Sequence, residues 1–598
     1  MEFTNKTKWL IALIIIVVFI VLIILYLIFR DTPVRLDTKK ADIVIIGAGT
    51  SGCILARRLS EKHPQLRIVV LERGINRRDD QNVFNLKNMV IAGYSKPYSE
   101  VLPTDFSSSL VASTALMYGG CSSHNFGLAV RGSPNYYNGI WKERLGLDYN
   151  ATLKYMHRME AFHPEYSPDN NNKTIPLNST RSTNGLIQIT PLPTKLLLGP
   201  RILPAIEMGL EQGPGIFGKA FLVITNTGPL RASNALSDNI NTIISKTRNV
   251  NIVEDYNADQ VACVASSSQL FIDSIVGIRQ STDVKYLPRE YIHIHTQSRA
   301  VTISKNGRQA ASLQIVPNAM VNRIVDNGVE YVDQNGNKQV VNTNRTIVCA
   351  GGIYTPYLLS KSGFGDTLCQ NLRTHYGFSA IIAVESDSSE SFTFSNGPLA
   401  FVSRSGNDNA REWQVIISGS ASIDLINSVG GVSGITSSTK TFSIILWNLN
   451  PRTRGNIGAD GDKPTVNLRL YEDGGIDDPK SDISNMIDGL DWIATSVIPE
   501  LKKKYNTMRL VFPPQSVIDG GKKNEWVPYI KQGVSLTDHY CNTSGDAVDT
   551  DTFLLRNNTN NNKVHVVDAS VLPLPDGNTN YPIMVMAEIA AERISKLL

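Results

Sequence analysis

Hydrophobic positions fall into runs of three kinds along this chain. The longest run, residues 9–29, has 21 positions without a charge. A helix of that length crosses roughly 30 Å of hydrocarbon. The stretch FRDTPVRL follows it, with no small-residue cleavage site. The pattern predicts a single-pass N-terminal membrane anchor, with residues 30–40 as a polar linker. Lys6 and Lys8 flank one side, and Arg30, Arg35, Lys39 and Lys40 the other. This bias favours a cytosolic position for the folded part. Short apolar runs come next. Residues 43–46 are one, residues 51–61 have helical spacing, and a second run ends at Glu72. Residues 313–324, 329–332 and 346–350 read as strands, and 395–446 alternates β-branched and polar residues as an antiparallel sheet does. Residues 582–598 carry apolar positions at helical spacing and read as a terminal helix.

Residues 42–74 join these signals into strand, turn, helix and strand. Gly47-x-Gly49-x-x-Gly52 follows the first strand and opens the helix. The first glycine allows a tight turn, the second a close approach to a pyrophosphate, and the third close packing of helix on strand. The helix N-terminus faces the phosphate charge. Glu72, 20 residues past Gly52, sits where an acid accepts hydrogen bonds from a ribose hydroxyl. An acid there argues against a 2′-phosphate.

A chain of 598 residues is too long for one ordinary core. The composition is that of a globular protein, 42% apolar and 19% charged, with a net charge of +4. The basic residues are dispersed, with their densest run at Lys502–Lys504, so no nucleic-acid footprint is present. Six scattered cysteines without a C-x-x-C pair suggest neither a disulfide framework nor a zinc site, and no metal is expected. Residues 169–174 and 557–563 are asparagine-rich and read as exposed loops. The fold class expected is α/β, α+β overall. A Rossmann-like domain is assembled from residues 41–160, 251–375 and 531–598. An antiparallel-sheet substrate domain is inserted at 161–250 and 376–530, and residues 1–40 are anchor and linker.

Five further ordered motifs carry a family resemblance. Residues 118–125 read YGGCSSHN, closing with Val130-Arg131-Gly132. Residues 277–287 read GIRQSTDVKYL. Residues 349–363 read CAGGIYTPYLLSKSG. Residues 450–455 read NPRTRG. Residues 566–570 read VVDAS, followed by GNTNYP at 577–582. Over most of residues 41–598 the chain resembles the glucose-methanol-choline (GMC) oxidoreductases. The resemblance implies FAD, a two-domain fold and oxidation of an alcohol, with oxygen or another electron acceptor. Gly119 and Gly120 would let the backbone touch the flavin ring and pyrophosphate, and Ala350 and Gly351 would let it pass close to the cofactor. Asp568 would bond a phosphate-side or ribitol hydroxyl. Val321 sits where the family packs an aliphatic residue by the adenine. Asn580 and Pro582 belong to the C-terminal flavin segment. In relatives with the string GGCSSHN, the histidine bonds covalently to the flavin 8α-methyl. His124 and Asn125 complete that string here.

The resemblance places the catalytic pair at His539 and Asn578, with Asn580 a near alternative. A histidine takes the hydroxyl proton while hydride leaves for flavin N5, and imidazole suits that task near neutral pH. A carboxamide is no base, so that role falls to His539. The chain departs from the family just after it. The usual His-x-x-Gly-Thr-x-x-Met-Gly has become His539-Tyr540-Cys541-Asn542-Thr543, with Asp546-Ala547 at the end. Asn542 adds bulk where the backbone should approach the flavin. A competing expectation follows: a structural protein, in a homodimer or larger assembly, that keeps the fold with little turnover. The drifted motif and the asparagine-rich loops are similar in this respect to oxidoreductase-like proteins of giant-virus particles.

Overall fold

The computed structural model describes residues 39–84, 93, 97–106, 110–164, 177–191, 234–266, 268–273, 278–287, 292–294, 301–305, 308–385, 399–418, 439–558 and 560–598. The anchor expected at 9–29 and the asparagine-rich stretch 169–174 lie outside these residues. Among the described residues no helix is long and apolar enough to cross a membrane.

Two large sheets carry the fold. In the first, strand Ile43–Ile46 is buried throughout and pairs in parallel with Ile68–Leu71 and Arg345–Val348. Parallel pairing continues outward to Arg308–Val316 and Lys563–Val566. Strands of a parallel sheet are covered on both faces, which is why Ile43–Ile46 and Ile68–Leu71 contain no polar residue. Antiparallel strands extend both edges to nine in all. Helix Thr50–Lys62 packs against the C-terminal helix Asn580–Ser595.

The single strand expected over 313–324 is two strands. Arg308–Val316 joins the parallel sheet, whereas Met320–Val325 starts a separate three-stranded sheet with Gly328–Val332 and Lys338–Asn342. Pro317 has no N–H to give to a ladder, and Asn318 takes a left-handed φ of 51°. The two together turn the chain.

The second sheet has eight strands. Tyr376–Glu385 lies between Thr439–Asn448 and Arg509–Phe512 and also pairs with Val534–Leu536. Trp413–Ser418 and Leu399–Val402 follow outward from Thr439–Asn448. Ile252–Val253 and Cys263–Ala265 complete it at the far edge. These last two strands fall within 251–375, the segment expected for the cofactor domain, but their pairing is with this sheet. Helix Asp482–Trp492 covers it through Met486, Ile487 and Leu490, packed on Phe378 and Leu446. Gly489 lets the helix pack closely there, since a Cβ would lie 2.8 Å from a Leu446 methyl and that side chain would have to shift.

A buried ionic cluster ties the C-terminal helix to the rest. Arg131 and Arg181 meet Glu160 at 3.0 and 2.8 Å. Arg131 Nε also donates to the Tyr581 hydroxyl at 2.9 Å, which donates to Glu160 at 2.8 Å. Burial opposes ionisation of Glu160, but the two guanidiniums outweigh it and hold its carboxyl below the usual range. Glu160→Ala leaves Arg131 buried without a carboxylate and Arg181 with Asp255 alone, and breaking such a cluster costs about 3–5 kcal/mol. The urea midpoint of this variant is expected to fall sharply, and that of Glu160→Gln by less.

A candidate cofactor and active site

A cavity of about 280 Å³ opens where strands Ile43–Ile46, Ile68–Leu71 and Arg345–Val348 end. Ligands of open α/β sheets bind at these carboxyl ends. Two strand-to-helix turns meet there. Gly47 has φ +97°, and a Cβ on it would lie 2.5 Å from the Cys349 carbonyl oxygen. A Cβ on Gly120 would lie 2.8 Å from the Gly49 Cα. Gly351 has φ +86°, and a Cβ there would meet nothing within 4 Å. Helices Thr50–Lys62 and Gly351–Lys361 both begin at the cavity, where first-turn N–H groups have no carbonyl of their own helix to bond; that of Gly351 is taken by Asp568.

Gly47, Gly49, Glu72, Gly120, His124, Asn125, Val321, Ala350, Gly351, His539, Asp568, Asn578 and Asn580 all line this one cavity. Gly52, Gly119 and Pro582 are not on its wall. Gly52 is a packing glycine, since a Cβ would lie 1.9 Å from the Gly47 carbonyl. Gly119 makes room for Ser123 Oγ, which would be 2.0 Å from a Cβ. Pro582 is buried in the first turn of the C-terminal helix.

The acids do more than the sequence suggested. The expectation for Glu72 is that it accepts from a ribose hydroxyl. Its two oxygens accept the Ala48 and Gly74 N–H groups at 2.7 and 2.6 Å. It thereby pins the glycine turn, with further lone pairs left for a hydroxyl. Burial raises its pKa against those two bonds. Asp568 accepts from Gly351 N at 2.9 Å and Thr355 Oγ1 at 2.5 Å, so it holds the start of helix Gly351–Lys361. Burial likewise pushes its pKa up.

His124 is buried, and neither ring nitrogen has a hydrogen-bond partner among the described residues. Burial, then the nearby Arg279 guanidinium, lower its pKa to about 4. Arg279 is held by Asn125 Oδ1 at 2.8 Å and Val83 O at 2.9 Å. A neutral imidazole with two unused nitrogens fits a group that is yet to bind.

His539 and Asn578 each have an unforeseen partner. His539 Nδ1 lies 2.8 Å from His375 Nδ1, and His375 Nε2 lies 2.8 Å from the Pro575 carbonyl. Gln414 Nε2 donates to Asn578 Oδ1 at 3.2 Å, leaving the Asn578 amide nitrogen as a donor at the cavity it lines. Burial lowers the His539 pKa to about 3. Part of the ring faces the cavity, so this desolvation is complete only when the cavity is filled. Trp447 from the second sheet lines the same space. No spacing in the sequence marks His375 or Gln414, because both reach the site through strand pairing.

Asn542 corrects a sequence expectation. It is absent from the cavity wall. Its backbone keeps a φ of +67°, the conformation a glycine would take. Its side chain turns to Arg144, accepting at 3.2 Å, and Arg144 also reaches Asp546 at 3.1 Å. Thr543 Oγ1 donates to the Gly352 carbonyl at 3.0 Å. The expected crowding of the flavin by Asn542 does not arise.

The fold and cavity define a flavoprotein oxidoreductase architecture, and comparison with known proteins agrees. Residues 41–377 match the GMC oxidoreductase family. The chain belongs to that GMC-type, FAD-dependent family. It is 24% identical to pyranose dehydrogenase 3 of Leucoagaricus meleagris, over 93% of each chain. It is 27% identical to a protein of Acanthamoeba polyphaga mimivirus described as a truncated, inactive GMC-type oxidoreductase, over 55% of this chain and 70% of that one. The fold is similar to pyridoxine 4-oxidase from Mesorbium loti, with TM-score 0.67, 19% identity, and 92% and 99% of the two chains covered. A formate oxidase variant of Aspergillus oryzae RIB40, studied for FAD modification, also gives TM-score 0.67, at 16% identity over 94% and 99%.

His124 and His565 are both held neutral by burial, with pKa values near 4. In the unfolded chain these groups take up protons near pH 6.5. The unfolded state then binds more protons between about pH 6.5 and 4, so stability falls as pH drops through that window. Urea midpoints measured from pH 7 to 4 should decline steadily. A flat profile would contradict neutral burial.

Proposed function

We propose that this protein oxidises the CH–OH group of a small alcohol, with FAD in the cavity and His539 as base. The supporting observation is that His539 and Asn578 line the same cavity as the two glycine-opened helix N-termini. Bound FAD would supply the hydride acceptor. The N-termini of helices Thr50–Lys62 and Gly351–Lys361 suit its pyrophosphate. Glu72 and Val321 would hold the adenosine end, and Asp568 with Asn580 the phosphate and ribitol region. Nε2 of His539 accepts the hydroxyl proton. The amide nitrogen of Asn578 donates to the substrate oxygen and steadies its developing charge. Oxygen or another acceptor takes the electrons afterwards.

His124 is proposed to link to the flavin 8α-methyl: the C–N bond would replace one methyl C–H and the imidazole N–H, with both protons lost to solvent, and the released electron pair would reduce the flavin, which oxygen would reoxidise. The unpartnered, neutral ring of His124 supports this, since only a deprotonated nitrogen is nucleophilic. Residues 9–29 are proposed to tether the protein to a membrane. The second reading is a scaffold with the same fold and little turnover. The inactive mimivirus relative favours it. The open cavity and the outward Asn542 favour the enzyme.

Anaerobic mixing with a panel of primary alcohols tests the catalytic reading. An active enzyme bleaches its flavin absorbance, and His539→Ala slows that by about 10²–10⁴-fold. A scaffold shows no bleaching with any alcohol. Acid precipitation tests the linkage. The yellow colour is expected in the pellet of the unaltered protein and in the supernatant of His124→Ala. Colour in the supernatant for both removes the covalent claim.

A further inference from the structure

We propose that His375 is a positioning residue that fixes the tautomer of His539 and shares its charge when it is protonated. This rests on the base role of His539 proposed above.

The Pro575 carbonyl can only accept, so the 2.8 Å contact places a hydrogen on Nε2 of His375. His375 is fully buried. Burial, and then the neighbouring His539, push its pKa well below the usual range, against the Pro575 and Leu449 carbonyls. It therefore carries one proton, and its Nδ1 has a lone pair. That nitrogen lies 2.8 Å from Nδ1 of His539, a distance that requires one hydrogen between them. The hydrogen belongs to His539. Neutral His539 then has Nδ1–H, and its lone pair is on Nε2. One backbone carbonyl, acting through one ring, decides which nitrogen can act as base.

The second sheet sets the geometry. His375 immediately precedes strand Tyr376–Glu385, and the register pairs Tyr376 with Leu536. Thr537 Oγ1 donates to the His375 carbonyl at 2.8 Å. The two rings meet nearly at right angles, 86°, with centroids 5.1 Å apart. When Nε2 of His539 takes the alcohol proton, the Nδ1–H···N bond becomes charge-assisted and stronger. The gain comes only as the proton arrives, so it favours the transition state over the ground state. An orienting partner on the far nitrogen is the arrangement of a Ser-His-Asp triad, with a neutral ring here in place of a carboxylate.

Two measurements on the flavin-loaded protein test this. Proton–nitrogen correlation of ¹⁵N-histidine-labelled protein should give His539, assigned by its loss in His539→Ala, as the Nδ1–H tautomer. Anaerobic flavin reduction by a responsive alcohol should slow about 10- to 100-fold in His375→Phe with KM little changed, a share of the base's full contribution. His375→Asn, whose Oδ1 can accept from Nδ1–H, should recover most of the rate. An Nε2–H tautomer in the unaltered protein overturns the proposal. So does an equal loss in the Phe and Asn variants, or full rate in the Phe variant. If the Phe variant does not fold, the tautomer of the unaltered protein and the rate of His375→Asn decide. Full rate in His539→Ala instead defeats the base reading itself.

Discussion

The site depends on one close approach of backbone to backbone. The turn after strand Ile43–Ile46 and the turn after Arg345–Val348 lie so near each other that Gly47 has no space for a Cβ beside the Cys349 carbonyl. The same turn is crossed from the other side by Gly120, against the Gly49 Cα. Three chain segments thus touch without side chains between them. The helices that follow two of these turns begin at one point, and their first-turn N–H groups, other than that of Gly351, which Asp568 accepts, face a common space. Larger residues at these positions would separate the segments and close the cavity from its floor. The parallel register of the five central strands keeps the turns level.

The second sheet completes the cavity with chemistry of a different kind. The parallel sheet contributes backbone dipoles and two acids that mostly hold turns in place. The antiparallel sheet contributes His375, Gln414 and Trp447, and two of these bond to the proposed catalytic side chains rather than to the reacting atoms. His539 and Asn578 thereby present opposite polarities, a lone pair and an N–H. Both side chains belong to loops, which are mobile when unsupported. Strands are rigid, so a loop pair anchored on a sheet keeps its geometry. His124 has no such anchor. It is held neutral beside the permanently charged Arg279, whose own pKa burial lowers only to about 9.

Much of this was legible in the sequence, for physical reasons that also explain what was not. The glycine fingerprint and Glu72 form one local unit, so spacing alone located them. Strand 346–350 and the terminal helix follow from local periodicity. The membrane anchor expected at 9–29 lies outside the described residues. The strand expected over 313–324 failed at Pro317-Asn318, where turn chemistry overrode an apolar pattern. Glu72 was recognised, but its bonds to Ala48 and Gly74 depend on the folded turn. His375 stands 164 residues from His539, and Gln414 equally far from Asn578. Their meeting is a property of sheet register, to which a linear pattern is blind.

Asn542 shows how a departure from a motif can be read wrongly from sequence. Its side chain is larger than the glycine it replaces, so crowding of the cofactor was the natural expectation. A glycine can be needed for space or for backbone conformation, and the two needs are separable. A Cβ is intolerable at Gly352, where it would lie 2.0 Å from the Tyr540 carbonyl. At residue 542 the demand is for positive φ, and asparagine is among the few other residues that accept it. Its amide is then free to bond Arg144 on the side away from the cavity. Asp546 joins the same arginine, so two of the three changed positions in the motif serve one surface contact. Drift of this sort alters the outside of the loop and leaves the imidazole where it was. Loss of a family signature is therefore weak evidence here for loss of chemistry, because the altered positions and the cavity-facing ones lie on opposite sides of the chain.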